Sequence, residues 1–185
     1  RESLNHELNK VLFSSHGSPL HSNIPDNRRA ENSGLAFIAL IDIDHFKSVN
    51  DHYGHLFGDE ILIIISRLLA ETFSRQDDMV FRYGGEEFVT IVNTTNREGA
   101  GQIFERLRQK IEGFDFPQIE RLTISIGYSI VKQQQTAADL LGEADQALYY
   151  AKENGRNVIH CYEDLVVQGL VASKENIHYG EVKLF

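Results

Sequence analysis

The chain has 185 residues, 42% hydrophobic and 24% charged; this composition suits one domain with a sizeable core and excludes a disordered or fibrous chain. Eighteen Lys and Arg against 27 Asp and Glu leave a formal charge of −9, which argues against non-specific nucleic-acid or anionic-membrane binding. It leaves room for a phosphorylated small ligand held by a metal ion and a few cations. The single cysteine, Cys161, excludes an internal disulfide framework and suits a reducing, cytoplasmic compartment. The longest apolar run, Ile61–Ile65, is far short of the ~18 residues a membrane span needs, so no direct membrane contact is expected. Starting at Arg1 without a methionine, the chain reads as a piece of a longer protein.

Leu4, Leu8, Val11 and Leu12 fall at helical spacing and predict a helix over residues 1–14. A long loop rich in Gly, Pro, Ser and Asn follows, over residues 14–34. Leu35–Ile41 is a continuous apolar run ending in Asp42, the pattern of a strand buried on both faces. Short helices are expected over 44–53, stopping at Gly54, and from Asp59 to Phe73. Two β-rich runs, Met79–Tyr83 and Glu87–Val92, flank Gly84-Gly85 and predict a tight hairpin. Helical spacing returns over 97–112, apolar/polar alternation over Leu122–Val131 predicts a half-buried strand, and a helix over 137–154 is capped by Gly155. Val158–Tyr162 suggests a last strand, and residues 163–185 form a tail without a usable pattern. This order predicts an α+β fold: a mainly antiparallel central sheet with surrounding helices, in the ferredoxin-like or polymerase-palm style.

Two segments carry the chemistry. Asp42-Ile43-Asp44 stands where the buried strand runs out, and Gly84-Gly85-Glu86-Glu87-Phe88 makes the hairpin tip. If those strands are neighbours, Asp42 and Glu86 meet at one sheet end, and two carboxylates beside backbone carbonyls make a hard-oxygen site suited to Mg²⁺. The plainer reading is a strand-ending Asp and a turn glycine pair. His52, His55 and Cys161 do not make a zinc spacing, and there is no Walker-type phosphate loop.

Taken together, the stretch Asp42–Asp59 and Arg82-Tyr-Gly-Gly-Glu-Glu-Phe88 closely resembles the GGDEF family of bacterial diguanylate cyclases, in its GGEEF variant. The likeness continues through Thr123-Ile-Ser-Ile-Gly127 and Ala144–Asn157, covering roughly residues 35–160. It implies an enzyme, a nucleotidyltransferase that joins two GTP into cyclic di-GMP and releases two pyrophosphates. Residues 1–162 would be the catalytic domain. Carried over by position, the metal site falls on Asp42, the carbonyl of Ile43, and Glu86, with Mg²⁺ as the ion and Mn²⁺ the alternative. Glu86, or a metal-bound hydroxide or water, would take the 3′-hydroxyl proton; Glu87 is the fourth motif position, with a less defined catalytic role. Guanine recognition falls on Asn50 and Asp59, since a carboxylate can accept from both N1–H and the 2-amino group, a donor pair adenine lacks. By itself Asp59 would read as a helix N-cap after Gly58. Phosphate contacts fall on Lys152 and Arg156, four apart near a helix end, and on main-chain N–H groups around His45, Phe46 and Lys47. Two cations at a helix C-terminus also have a purely local explanation.

The resemblance also places an allosteric inhibitory site on Arg75-Gln-Asp-Asp78 and on Arg106. Arginines can grip phosphates and stack on guanine, and an aspartate can read its N–H edge. An Arg and an Asp three apart are equally a routine solvated pair. The implied partners are GTP, cyclic di-GMP as product and inhibitor, a second copy of the chain in a homodimer that forms around substrate, and an N-terminal sensor domain in the parent chain. The family's usual Asp-x-Leu-Thr-Gly-Leu-x-Asn-Arg opening is absent, with Arg1 standing where its last residue would be. Two other readings compete: a non-catalytic cyclic di-GMP receptor using Arg75, Asp78 and Arg106, and a related nucleotidyl cyclase with another substrate. Having Asp42, Asn50, Asp59 and Glu86 together favours the cyclase.

Overall fold

A computed structural model describes residues 34–132 and 135–172. The helix expected over 1–14 and the loop over 14–34, except Gly34, lie outside the described residues, as does the tail from 173 onward. Five strands form one sheet: β1 (Leu35–Ile43), β2 (Met79–Gly84), β3 (Glu87–Thr94), β4 (Ile124–Ile130) and β5 (Ile159–Cys161), in the order β2-β3-β1-β4-β5. All pairings are antiparallel except β4 with β5. Among the described residues five helices cover it: α1 (Phe46–Tyr53), α2 (His55–Thr72), α3 (Arg97–Glu112), α4 (Ala137–Glu153) and α5 (Tyr162–Val167).

β1 is apolar from Leu35 to Ile41 because both its faces are covered. Phe37, Ala39, Ile41 and Ile43 point into a core with α1, α2 and α3, where Ile65, Leu69, Phe104 and Leu107 are fully buried. Ile38 and Leu40 point the other way, onto Leu140, Ala144 and Leu148 of α4. Since side chains alternate along a strand, Asp42 falls on the α4 face. That parity positions the site.

Three expectations need correction. β4 is buried along its whole length, where alternation predicted a half-buried strand. Ile124, Ile126, Tyr128 and Ile130 join the α1–α3 core; the alternate residues are polar or small because α4 presses close, not because water is there. A Cβ at Gly127 would lie 2.1 Å from the backbone nitrogen of Leu148 and 2.3 Å from the carbonyl oxygen of Ala144, so only glycine admits the helix at that distance. Helix α2 begins at His55 and not at Asp59, directly after Gly54, whose φ of 87° breaks it from α1. Residues 163–172, read as part of a patternless tail, supply most of α5, where Tyr162 and Leu165 pack on Ala147 of α4.

Two helix starts, those of α3 and α4, carry side-chain caps. The Asn96 side chain accepts from the Gly99 N–H at the head of α3, and Thr136 with Asp139 makes a capping box on α4.

Candidate functional site

Asp42, the penultimate residue of β1, is 6% exposed and lies opposite Glu87 in the β1–β3 register. From α4, the Lys152 ammonium reaches its Oδ2 at 2.8 Å. Burial pushes the Asp42 carboxyl above the usual range; Lys152 opposes that shift, and the nearby charges of Glu86 and Glu87 add to it. Glu86 lies in the two-residue turn joining β2 and β3, after Gly85 at a φ of 52°. A glycine with positive φ at the first turn position is what a tight hairpin with the right twist requires. The Arg82 Nε donates to the Gly85 carbonyl at 3.0 Å and braces the turn. Thus β2 runs on through Gly84, and it is Glu87, not Glu86, that stands directly across from Asp42. Both glutamates still act on the Asp42 charge.

A buried carboxylate with two acidic neighbours is the donor chemistry a hard divalent cation takes. Among the described residues, no group of three or more His, Cys, Asp or Glu is arranged to hold an ion by itself. Asp42 and Glu86 would therefore need the Ile43 carbonyl and ligand oxygens to complete a shell.

Asn50 sits in the last turn of α1, and its Oδ1 is buried without a hydrogen-bond partner. The amide lies against Gly58 of α2, immediately before Asp59: a Cβ built on Gly58 would fall 1.9 Å from that oxygen. The two expected base-reading residues are thus brought to one crossing of α1 and α2. Asp59 is the fifth residue of α2 and exposed, while the N-cap is Gly54, so the capping explanation of Asp59 does not hold. Phe46 and Lys47 open α1, whose N-cap His45 adopts a left-handed φ of 57° and gives no side-chain cap. The first N–H groups of a helix have no intrahelical acceptor.

Arg156 lies beyond the end of α4, which stops at Glu153. The expected helical i, i+4 juxtaposition with Lys152 is therefore absent. Gly155, Arg156 and Asn157 have φ of 111°, 59° and 49°. The Arg156 N–H donates to the Ala151 carbonyl at 3.0 Å, the long bond of a Schellman ending. Holding two non-glycine residues left-handed costs roughly 1–2 kcal/mol each, and the surroundings supply it. The Asn157 N–H donates to Asp44 Oδ2 at 3.0 Å, Arg108 donates to Asn157 Oδ1 at 2.7 Å, and Asn157 Nδ2 donates to Glu112 at 2.9 Å.

Asp44 is the residue sequence reasoning passed over. At 4% exposure it also accepts from Thr123 Oγ1 and Ser125 Oγ, both at 2.7 Å. One carboxylate so ties the end of β1, the start of β4 and the left-handed loop. The available signal was its place in Asp42-Ile43-Asp44 together with the Thr and Ser of Thr123–Gly127.

The Asp78 N–H donates to the Arg75 carbonyl at 3.1 Å and the Arg75 N–H to Asp78 Oδ2 at 3.4 Å, so this pair forms a backbone turn before β2. Arg106 is exposed on α3, bordering a groove with Arg97, Gln109 and Asp164. None of the hydrogen bonds or ion pairs of the described residues joins Arg106 to that turn.

A family model described as "Diguanylate cyclase, GGDEF domain" matches residues 9–158. The chain is 40% identical over 133 residues to the diguanylate cyclase DgcP of Pseudomonas aeruginosa, covering 70% of this chain and 20% of that protein. It spans about a fifth of that relative's length. Among solved structures, the active GGEEF domain of a diguanylate cyclase from Vibrio cholerae is 36% identical, with a TM-score of 0.64 over 69% of this chain and 83% of that one. The GGDEF domain of DgcB from Caulobacter crescentus, solved with c-di-GMP, shares the fold at 23% identity, with a TM-score of 0.70 over 88% of this chain and 87% of that one.

Proposed function

The chain belongs to the GGDEF domain family, and from that premise we propose that it is a diguanylate cyclase, condensing two GTP into cyclic di-GMP. The observation that carries this reading is the convergence of Asp42, Glu86, Glu87 and Lys152 at one sheet end. In each of two equivalent steps a 3′-oxygen bonds to the α-phosphorus of the other GTP. The bond to pyrophosphate breaks, and the 3′-hydroxyl proton leaves to a base.

Asp42, Glu86 and the Ile43 carbonyl would hold Mg²⁺, with Mn²⁺ the alternative. When bound, the ion neutralises triphosphate charge and stabilises the charge growing at the attacked phosphorus. Glu86, in the turn, is placed to accept the 3′-hydroxyl proton; Glu87 stays on β3 opposite Asp42 and tunes its charge. Asn50 and Asp59 read the guanine edge. Lys152 and Arg156 bind phosphate oxygens, helped by the free N–H groups of Phe46 and Lys47 at the head of α1.

One chain offers one such set of residues, so one chain holds one GTP. Two chains facing across a two-fold axis then present the nucleotides antiparallel. Arg75, Asp78 and Arg106 serve as a product-inhibition site. The decisive experiment incubates the protein with GTP and Mg²⁺ and separates nucleotides by chromatography: cyclic di-GMP and pyrophosphate are expected, and their absence from folded protein overturns the reading.

A further inference from the structure

Gly58 stands in the interior of a helix, where glycine is the poorest of the ordinary residues. Its φ is not positive, and its N–H makes a regular bond to the Gly54 carbonyl at 3.2 Å. Backbone freedom therefore does not explain it. Space does. The position a Cβ would occupy is filled by the Asn50 amide: 1.9 Å from Oδ1 and 3.0 Å from Cγ, with the Phe46 Cζ at 3.2 Å. Phe46 and Asn50 are four apart on α1, so they project side by side toward α2. The Asn50 amide occupies a slot beside the bare Cα of Gly58, with the edge of the Phe46 ring next to it. The oxygen in that slot is buried and has no partner within the protein, a costly state for a polar atom. It is tolerated next to Asp59, the other residue assigned to the base.

We propose that Gly58 is a specificity-determining positioning residue: by lacking a Cβ it holds the Asn50 amide beside Asp59, poised for the guanine edge. This rests on the reading that Asn50 and Asp59 recognise guanine. An added methyl meets only the end of a rotatable side chain and the rim of a ring. Gly58→Ala therefore displaces the amide without breaking the helix, whose propensity it improves.

The test compares Gly58→Ala, Asn50→Ala and the double variant by thermal melting and by cyclase kinetics with GTP, ATP as competitor. Gly58→Ala should melt at or above wild type, raise KM for GTP about tenfold with kcat changed much less, and lower the GTP/ATP preference, the split expected when ground-state and transition-state binding are lost together. In the Asn50→Ala background, where the slot is empty, it should raise the melting temperature and change KM no further. If Asn50→Ala leaves KM and the GTP/ATP preference unchanged, guanine recognition by Asn50 is wrong. If Asn50→Ala impairs GTP use and Gly58→Ala does not, the base reading stands and the positioning role falls. If Gly58→Ala lowers the melting temperature equally in both backgrounds, Gly58 merely packs against Phe46, and the proposal is overturned.

Discussion

The Lys152 ammonium lies 2.8 Å from the Asp42 carboxylate, linking the last turn of α4 to the penultimate residue of β1. Lys152 is the cation that opposes the shift on a carboxylate that burial, Glu86 and Glu87 all push toward the protonated form. The same ammonium is thus held at the acidic cluster, where the proposed triphosphate would lie.

Removing it should expose that cost. A carboxyl with a folded pKa above its unfolded value binds protons more readily when folded, so stability is lost as pH rises through that window. Lys152→Met should widen the window, lowering stability at pH 7 by roughly 1–3 kcal/mol and less at pH 4. Mg²⁺ should restore part of the loss, since a ligand that binds only the folded state stabilises it. Urea denaturation at the two pH values, with and without Mg²⁺, checks this; an equal loss at both would separate Lys152 from Asp42.

Glu86→Gln should keep the fold and lower cyclic di-GMP formation by at least ~100-fold, as expected for loss of a general base or a metal ligand. The residue lies in a two-residue turn, so its side chain can change without repacking the core. Normal turnover by the folded variant removes its role.

Asp59→Ala should leave the stability within about 0.5 kcal/mol of wild type, because the residue is exposed and caps nothing. The GTP/ATP ratio of kcat/KM should fall. An unchanged ratio would take the guanine edge away from Asp59.

Much of this was legible in the sequence, for physical reasons that differ by element. The apolar run before Asp42 read directly as a doubly covered strand, and glycine at 155 as the end of α4. What escaped were features set by distant partners. Nothing local says that Ser125 and Ser129 face a helix and not water, or that α2 starts four residues before Asp59. The i, i+4 spacing of Lys152 and Arg156 misled because the helix between them ends. Asp44 and the Arg108–Glu112–Asn157 cluster escaped because the bonds that Asn157 makes to Glu112, Arg108 and Asp44 span sequence separations of 45, 49 and 113 residues.

Glu112 in that cluster makes the fold acid-sensitive. Hydrogen bonds from Arg108, Arg121 and Asn157 hold the Glu112 carboxyl at about 2, below its ordinary 4.5. A depressed carboxyl stabilises the fold above its unfolded pKa, and that contribution is lost as pH falls through the window from 4.5 to about 2. The wild-type melting temperature should fall across it, and Glu112→Gln should flatten the fall. A Glu112→Gln profile parallel to wild type would show that Glu112 titrates as an ordinary carboxyl.

The dimer model makes a kinetic demand. Cyclic di-GMP is two-fold symmetric, and each chain offers one Asp42/Glu86 pair, one Asn50/Asp59 pair and one Lys152. If each chain holds one GTP, turnover requires two chains to meet. A charge of −9 per chain opposes standing association, and salt should ease it by screening. The initial rate at saturating GTP should therefore rise with nearly the square of protein concentration when the protein is dilute, becoming linear once dimers dominate. Raising the ionic strength should move that crossover to lower protein concentration. Ultracentrifugation on the same samples locates the dimerisation constant independently. A rate strictly proportional to protein well below that constant, with product still forming, would place both nucleotides on one chain and end the half-site model.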